Sequence, residues 1–175
     1  ATSRYSIDGR EVVVTTVGHP EKDAVAVRIE SEKVADGTVG ISLRFPFPSN
    51  TEFGSAADWD SPGRHLTELS PGTHMASFHR QLDDTNYDVH VQWDAGAVLR
   101  RTQEHCYELI PATDAREISF VVCFDKIVGN AAVPTFAQTR SASARHRREF
   151  WEGGGAVDLS GSSDPRWREL ERRVV

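Results

Sequence analysis

The residues best suited to chemistry lie in the polar, turn-rich segment from Ser49 to Ser70. Within it stand Asp58, Trp59 and Asp60, followed shortly by His65. An exposed indole stacks on the apolar face of a sugar ring, and neighbouring carboxylates accept hydrogen bonds from its hydroxyl groups. These residue types therefore predict a carbohydrate-binding site. The alternative is that Trp59 anchors a long loop to the body of the protein.

The same pair of carboxylates raises the question of catalysis. Glycoside hydrolysis uses two carboxyl groups about 5 to 9.5 Å apart, one of which must be held protonated. Asp58 and Asp60 flank a single residue, but nothing in their surroundings favours a protonated carboxyl. Nucleophile and phosphate-loop motifs are also missing from the sequence. We therefore predict no catalytic residues in this chain.

A second candidate site is a pair of histidines. We predict that His79 and His90 face each other on the polar side of a hairpin, where they would extend a sugar-binding surface. The alternative is an exposed or hydrogen-bonded histidine pair that binds no ligand. Two imidazoles at that separation could also share a metal ion. A third ligand from His74 or Asp88 is not convincingly placed, so neither a metal nor a cofactor is predicted.

Bulk composition limits the function classes. The chain has 175 residues, enough for one domain with a substantial core, and its net charge is −6. Nucleic acids and anionic membranes bind basic surfaces, so neither is a predicted partner. No apolar run approaches the ~20 residues that span a bilayer. The chain starts at Ala1 without a methionine, which fits a mature or trimmed product. We expect a soluble protein that is extracellular or secreted.

The first two thirds of the chain have the pattern of antiparallel strands. Apolar residues alternate with polar ones, as expected when one face of a sheet is buried and the other is wet. Turn residues separate the strands at the spacing typical of a sandwich or barrel. The predicted strands are Arg10–Val17, Ala24–Ile29, Val39–Phe47, Val98–Thr102, His105–Ile110 and Glu117–Phe124.

The clearest hairpin is predicted over His74–Asp94. A turn centred on Asp84 and Thr85 pairs Phe78 with Val91 on an apolar face and gathers polar residues on the other. A slip of one residue would mix the two faces, which supports this arrangement.

The last part of the chain is predicted to be helical. One helix covers at least Ser141–Trp151, and Asp164 begins a second whose residues Trp167, Leu170 and Val174 form one apolar stripe. Because this stripe runs to the last residues without a stop signal, we predict that the helix continues into further protein. The alternative is a self-contained helix packed on the sheet.

Several short motifs resemble those of six-hairpin glycosidases akin to glycoside hydrolase family 65, such as maltose and trehalose phosphorylases. The tail resembles the linker between the N-terminal β-sandwich and the helical barrel of these enzymes, and two upstream motifs also resemble their sequences. The motifs are Phe150–Gly161, Asp164–Arg166 and Glu169–Val175 in the tail, Asp58–Pro62 with His65, and Arg80–Asp83 with Tyr87.

This resemblance implies a galactose-mutarotase-like supersandwich over residues 1–133 and a helical linker over 134–175. It also implies a following (α/α)6 barrel, which holds the catalytic carboxylates in such enzymes. The expected function is that of a non-catalytic N-terminal domain of a glycoside hydrolase or phosphorylase. Trp151, Trp167, Leu170 and Val174 would then pack against the barrel. Two alternatives stay open: a free-standing carbohydrate-binding module and a structural domain that forms homodimers.

Overall fold

The protein is built from antiparallel strands followed by two helices. The computed structural model describes residues 1–49, 51, 53–94, 96–125, 132–154 and 157–174, and of Asp125 and Val174 it describes the backbone alone. The strands are β1 (Thr2–Ile7), β2 (Arg10–Gly18), β3 (Ala24–Glu30), β4 (Ile41–Arg44), β5 (Phe47–Pro48), β6 (Ala57–Asp58), β7 (His65–Pro71), β8 (Met75–Leu82), β9 (Thr85–Trp93), β10 (Ala97–Gln103), β11 (Cys106–Pro111) and β12 (Glu117–Asp125). The helices are α1 (Phe136–Glu152) and α2 (Trp167–Val174).

The strands form a large sheet and two smaller ones. The large sheet has seven strands in the order β1-β2-β3-β12-β9-β8-β7, and the second has three in the order β10-β11-β4. The short strands β5 and β6 pair with each other as a separate ribbon. The predicted class, an all-β antiparallel sandwich with C-terminal helices, is confirmed.

The main core lies between the two larger sheets. Alternating residues of the large sheet, such as Val12, Phe78 and Val91, are buried in one cluster with Tyr107 and Leu109 of the second sheet. Phe78 is fully buried, and its ring centroid lies 4.7 Å from that of Tyr107. Burial of these apolar side chains is the main force that holds the two sheets together.

Helix α1 covers part of the opposite face of the large sheet. Phe136 packs there against Ala26 and Val121, and Thr139 is also buried. The helix begins with a capping box, in which Thr135 and Gln138 each satisfy the other's backbone N–H. It therefore starts five residues before the predicted Ser141, because this cap and the buried first turn hold it on the sheet.

The register of the β8–β9 hairpin differs from the prediction. The turn consists of Asp83 and Asp84, so Phe78 pairs with Val89 instead of Val91. Asp83 has a φ of 48°, a left-handed conformation that aspartate tolerates better than most residues. Because the pairing is shifted by two residues, each side chain stays on its predicted face.

Other element boundaries also differ from the prediction. The predicted strand Val39–Phe47 is divided into β4 and β5, since Pro46 lacks the N–H that would continue the ladder. Strands β1 and β7 were not predicted. Helix α2 begins at Trp167, after a turn in which the Asp164 carboxylate accepts a hydrogen bond from the backbone N–H of Arg166.

In the part of the chain that is described, neither helix has the length and apolar character needed to cross a membrane.

Candidate functional site

A cavity of about 280 Å³ opens at the end of the sandwich where the polar segment crosses. Its walls come from the end of β4, the β5–β6 ribbon, the start of β7 and the turn between β10 and β11. The lining residues are Arg44, Phe45, Pro46, Asp58, Trp59, Pro62, His65, Gln103, Glu104, His105 and Cys106. Three of the four predicted residues of the polar segment, Asp58, Trp59 and His65, therefore lie together, whereas Asp60 does not line the cavity.

Trp59 forms an accessible aromatic wall. Its side chain is 47% exposed, and the guanidinium carbon of Arg44 lies 4.4 Å from the centre of its ring system. This cation–π contact holds the indole in place while leaving nearly half of it in solvent. Trp59 therefore presents an exposed aromatic surface with a hydrogen-bond donor, Arg44, beside it.

Behind the cavity lies a buried arginine. Arg80 is only 1% exposed, although its strand β8 lies next to the edge strand β7 of the large sheet. The two hydrogens on its Nη1 are shared among three acceptors: His65 Nδ1 at 2.7 Å, the carbonyl of Leu66 at 3.1 Å and, over a very short distance, Thr67 Oγ1. Its Nη2 donates to the carbonyl of Pro46 at 3.2 Å. All four acceptors are uncharged, so Arg80 organises neutral groups instead of pairing with a carboxylate.

A second chain of hydrogen bonds runs through His105. Thr67 Oγ1, which accepts from Arg80, also lies 2.7 Å from His105 Nδ1. His105 Nε2 donates to the carbonyl of Pro62 at 3.0 Å. The imidazole of His105 is thus bonded at both nitrogens. It ties β7 to the short turn at Pro62–Arg64 that precedes this strand.

His105 also occupies an unusual backbone conformation, with a φ of 58° in the turn between β10 and β11. We predict that His105→Ala is less stable than His105→Gly by about 1 kcal/mol, because only alanine is strained in the left-handed region. Both variants lose the two ring hydrogen bonds and should be less stable than the wild type. Urea unfolding measures the difference.

The matched control for this comparison is His79, which lies within strand β8. Glycine weakens a strand interior by roughly 0.5–1 kcal/mol relative to alanine. The order should therefore reverse there, with His79→Ala more stable than His79→Gly. If the same substitution, alanine or glycine, gave the more stable variant at both positions, backbone strain at His105 would not explain the difference in stability.

His65 lies between these groups and remains uncharged. Its ring stacks on His105 with centroids 3.7 Å apart, and the Phe47 ring lies 5.9 Å away. Burial, followed by the positive charges of His105 and Arg80, lowers the pKa of His65 from 6.5 to about 4. The cavity is therefore lined by a neutral imidazole at any pH near 7.

This lowered pKa predicts a pH dependence of stability. Between pH 6.5 and about pH 4 the unfolded chain protonates His65 and the folded chain does not, so stability should fall as pH decreases through this range. Carboxyls such as Asp58 and Asp36 have pKa values lowered from 3.8, so they make stability depend on pH mainly below that value. Urea midpoints at pH 7.5 and 5.0 should therefore differ less in His65→Gln than in the wild type. Equal differences would contradict the assignment.

The carboxylate of Asp58 accepts hydrogen bonds from its own loop. Its Oδ1 accepts the backbone N–H of Asp60 at 3.0 Å, and the hydroxyl of Ser61, followed by that N–H, lowers the pKa of Asp58. An ionised Asp58 can accept hydrogen bonds from a ligand but cannot act as a general acid. The side chain of Asp60 is exposed and outside the cavity.

The two other predicted site histidines lie elsewhere, and the prediction that they face each other is wrong. Because the turn is displaced, His79 pairs with Asp88 and His90 pairs with Ser77. His79 Nδ1 lies 2.7 Å from the carboxylate of Asp88, and His90 Nδ1 lies 2.7 Å from the hydroxyl of Ser77. His90 is only 6% exposed, which leaves little of it for a ligand.

This histidine pair is also separated from the cavity by the sheet itself. Residues paired across neighbouring strands share a face, and His65 is on the face of Arg80, whereas His79 is on the face of Glu68. The structure therefore divides the predicted sugar-binding residues into one cavity and one polar face. Among the described residues, no group of histidine, cysteine and carboxylate side chains has the arrangement of a metal site.

The residues predicted to contact a neighbouring domain lie on the helices. Trp151 is 49% exposed and lines a groove between α1 and β2, and Leu170 on α2 is 54% exposed. Trp167 is partly buried and lies 5.3 Å below the guanidinium carbon of Arg168. The side chain of Val174 is outside the described part of the molecule.

Several polar contributors to the cavity escaped prediction as site residues: Arg44, Arg80, Gln103, Glu104 and His105. Arg44 ends a predicted strand, and Arg80 was placed on the apolar face of its hairpin without a role. An arginine among apolar neighbours at period-two spacing is the one sequence signal that would have found Arg80, because arginine is seldom fully buried without a specific partner.

Neither a protein-family model nor a curated protein sequence matches the chain.

Proposed function

We propose that this chain is a carbohydrate-binding β-sandwich domain of a secreted carbohydrate-active enzyme, with no catalytic residues of its own. The observation that carries the proposal is the half-exposed indole of Trp59 beside a cavity lined by hydrogen-bonding groups. Stacking on an aromatic face together with a few placed polar groups is the general pattern of sugar recognition.

The size and chemistry of the cavity support a single sugar ring as its occupant. Small-molecule pockets usually have volumes of about 300 Å³ or more, so 280 Å³ suits a small ligand. Arg44, His65 and Gln103 provide donors, while Asp58 and Glu104 provide acceptors. A pyranose offers both donors and acceptors around its rim, which matches this mixed lining better than an apolar ligand does.

A binding role is also supported over catalysis. The two acidic side chains of the cavity are Asp58, whose pKa is lowered, and Glu104, whose carboxylate lies 3.7 Å from His105 Nε2. With its lowered pKa, Asp58 cannot supply the general acid that glycoside hydrolysis requires.

The experiment is a glycan array probed with the labelled wild-type chain, followed by ¹H–¹⁵N NMR titration with the best sugar. We expect binding to at least one oligosaccharide and a shift of the Trp59 indole N–H resonance. The indole resonances of Trp151 and Trp167 should stay unchanged. An empty array, or shifts confined to the helices, would contradict the proposal.

The proposed place within a larger enzyme depends on the helices. Phe150 and Trp151 near the end of α1 and Leu170 on α2 are each about half exposed or more. Large exposed apolar side chains such as these are common on surfaces that bind another protein. In this proposal they pack against a helical barrel that carries the catalytic carboxylates.

The reading frame beyond Val175 tests this second part independently of sugar binding. We expect it to encode about six helical hairpins, in keeping with the (α/α)6 barrel. Within that longer protein, Leu170→Ser should loosen the contact and lower the unfolding temperature of the pair of domains. A reading frame without such hairpins would leave a free-standing binding module.

A further inference from the structure

The buried Arg80 places a positive charge in the protein interior without an anionic partner. Removing a charge from water without such a partner is unfavourable. Among the described residues no carboxylate lies within ion-pair distance of Arg80, and its Nε has no hydrogen-bond partner. Its hydrogen bonds connect it instead to His65 and Pro46, which line the cavity.

The contact with His65 determines where the imidazole proton resides. A guanidinium has only donors, so the 2.7 Å contact from Arg80 Nη1 requires His65 Nδ1 to accept. A neutral imidazole that accepts at Nδ1 carries its single proton on Nε2. The same arginine also donates to Thr67, whose hydroxyl holds the stacked ring of His105 in place.

We infer that Arg80 is a positioning residue that holds His65 as the Nε2–H tautomer, which makes His65 a hydrogen-bond donor to the ligand. This inference rests on the proposed function for the identity of the ligand, which must offer His65 an accepting oxygen. A sugar hydroxyl or ring oxygen fulfils this requirement. The tautomer itself is a property of the protein without ligand.

The surroundings of His65 keep its imidazole uncharged. Burial disfavours a positive charge on His65 most, followed by His105 and Arg80, while Glu104 and Asp58 favour the charge more weakly. The neutral donor form therefore persists through the range in which an ordinary histidine titrates. Sugar affinity should consequently change less than twofold between pH 5.5 and pH 8.

The decisive experiment is ¹⁵N NMR of the histidine side chains in the ligand-free chain. In the wild type we expect His65 to show only the Nε2–H tautomer, with no protonation above about pH 5. In Arg80→Met both tautomers should appear, and the pKa should rise toward 6.5. Arg80→Lys, which keeps a cation and a donor, should restore much of the wild-type pattern.

A wild-type His65 that carries its proton on Nδ1, or a mixture of tautomers, would overturn the inference. This result needs no variant, so it stands even where Arg80→Met fails to fold. An unchanged tautomer in a folded Arg80→Met would overturn it as well.

Binding measurements on two further variants test the role of the His65 tautomer separately from the proposed function. His65→Gln places an amide N–H near the position of Nε2 and should bind the sugar within threefold of the wild type. His65→Leu should bind at least tenfold more weakly. Equal binding by both variants would show that His65 donates nothing to the ligand. Should no sugar bind while His65 is the Nε2–H tautomer, the proposed function fails and the role of Arg80 remains.

Discussion

Phe78→Ala should lower the free energy of unfolding by about 3–5 kcal/mol, the range for removing a fully buried aromatic ring. Phe78 is 0% exposed and lies where the two larger sheets meet. Its ring contacts those of Phe45 and Tyr107, at centroid distances of 5.1 and 4.7 Å. The substitution therefore removes contacts with both the second sheet and the segment that leads to the cavity.

Urea unfolding followed by tryptophan fluorescence measures this loss. The total stability of a domain is about 5–15 kcal/mol, so the variant should unfold at a much lower urea concentration. The matched control is Phe150→Ala on α1, where a 61% exposed ring should contribute less than about 1 kcal/mol. Similar losses at both positions would show that the core does not lie between the sheets as described.

Trp59→Ala should weaken sugar binding roughly 30-fold, which corresponds to about 2 kcal/mol, the value typical of a residue central to an interface. The substitution removes the aromatic wall and also the support of Arg44, whose guanidinium rests on the indole. Trp59→Phe should lose less, because a smaller aromatic face remains. Isothermal titration calorimetry with the best sugar from the array gives the three dissociation constants.

The control is Trp151→Ala, which removes an indole of nearly equal exposure outside the cavity. Its affinity should match that of the wild type within twofold. Since Trp59 is half exposed, Trp59→Ala should also retain its urea midpoint, so that a loss of binding reflects the missing side chain. A folded Trp59→Ala with unchanged affinity would exclude Trp59 from the binding site.

Side-chain alternation was enough to predict the faces of the sheets but not the full pairing. In β8 and β9 the predicted turn was one residue too far along the chain, which displaced every partner by two residues. Such a shift keeps Phe78 in the core and His79 on the polar face, so the hydrophobic pattern does not detect it. The conformation of Asp83 decides the register, and composition alone does not determine it.

Strand β7 was missed because its alternation is inverted. His65, Thr67 and Leu69 point inward, whereas Leu66 is 44% exposed. Two polar residues on the inner face are explained by Arg80, whose hydrogen bonds they accept. The pattern thus departs from the hydrophobic rule at the place where the cavity is built, as expected when function overrides local preference.

The cavity itself could be predicted only in part. The combination of Trp59, Asp58 and His65 was recognisable from residue types within one segment, because their chemistry is local. Arg44 ends β4 and His105 lies in the turn before β11, so the two are distant from each other in sequence, and they join the cavity through pairing of β4 with β11. Tertiary contacts of this kind leave no periodic signal in a single sequence.

The most direct test of the account is a crystal structure of the chain with the best sugar from the array. We expect one sugar ring in the cavity, stacked on Trp59, with an oxygen accepting a hydrogen bond from His65 Nε2. A sugar bound on the His79 face or along the helices, with the cavity empty, would contradict the central claim.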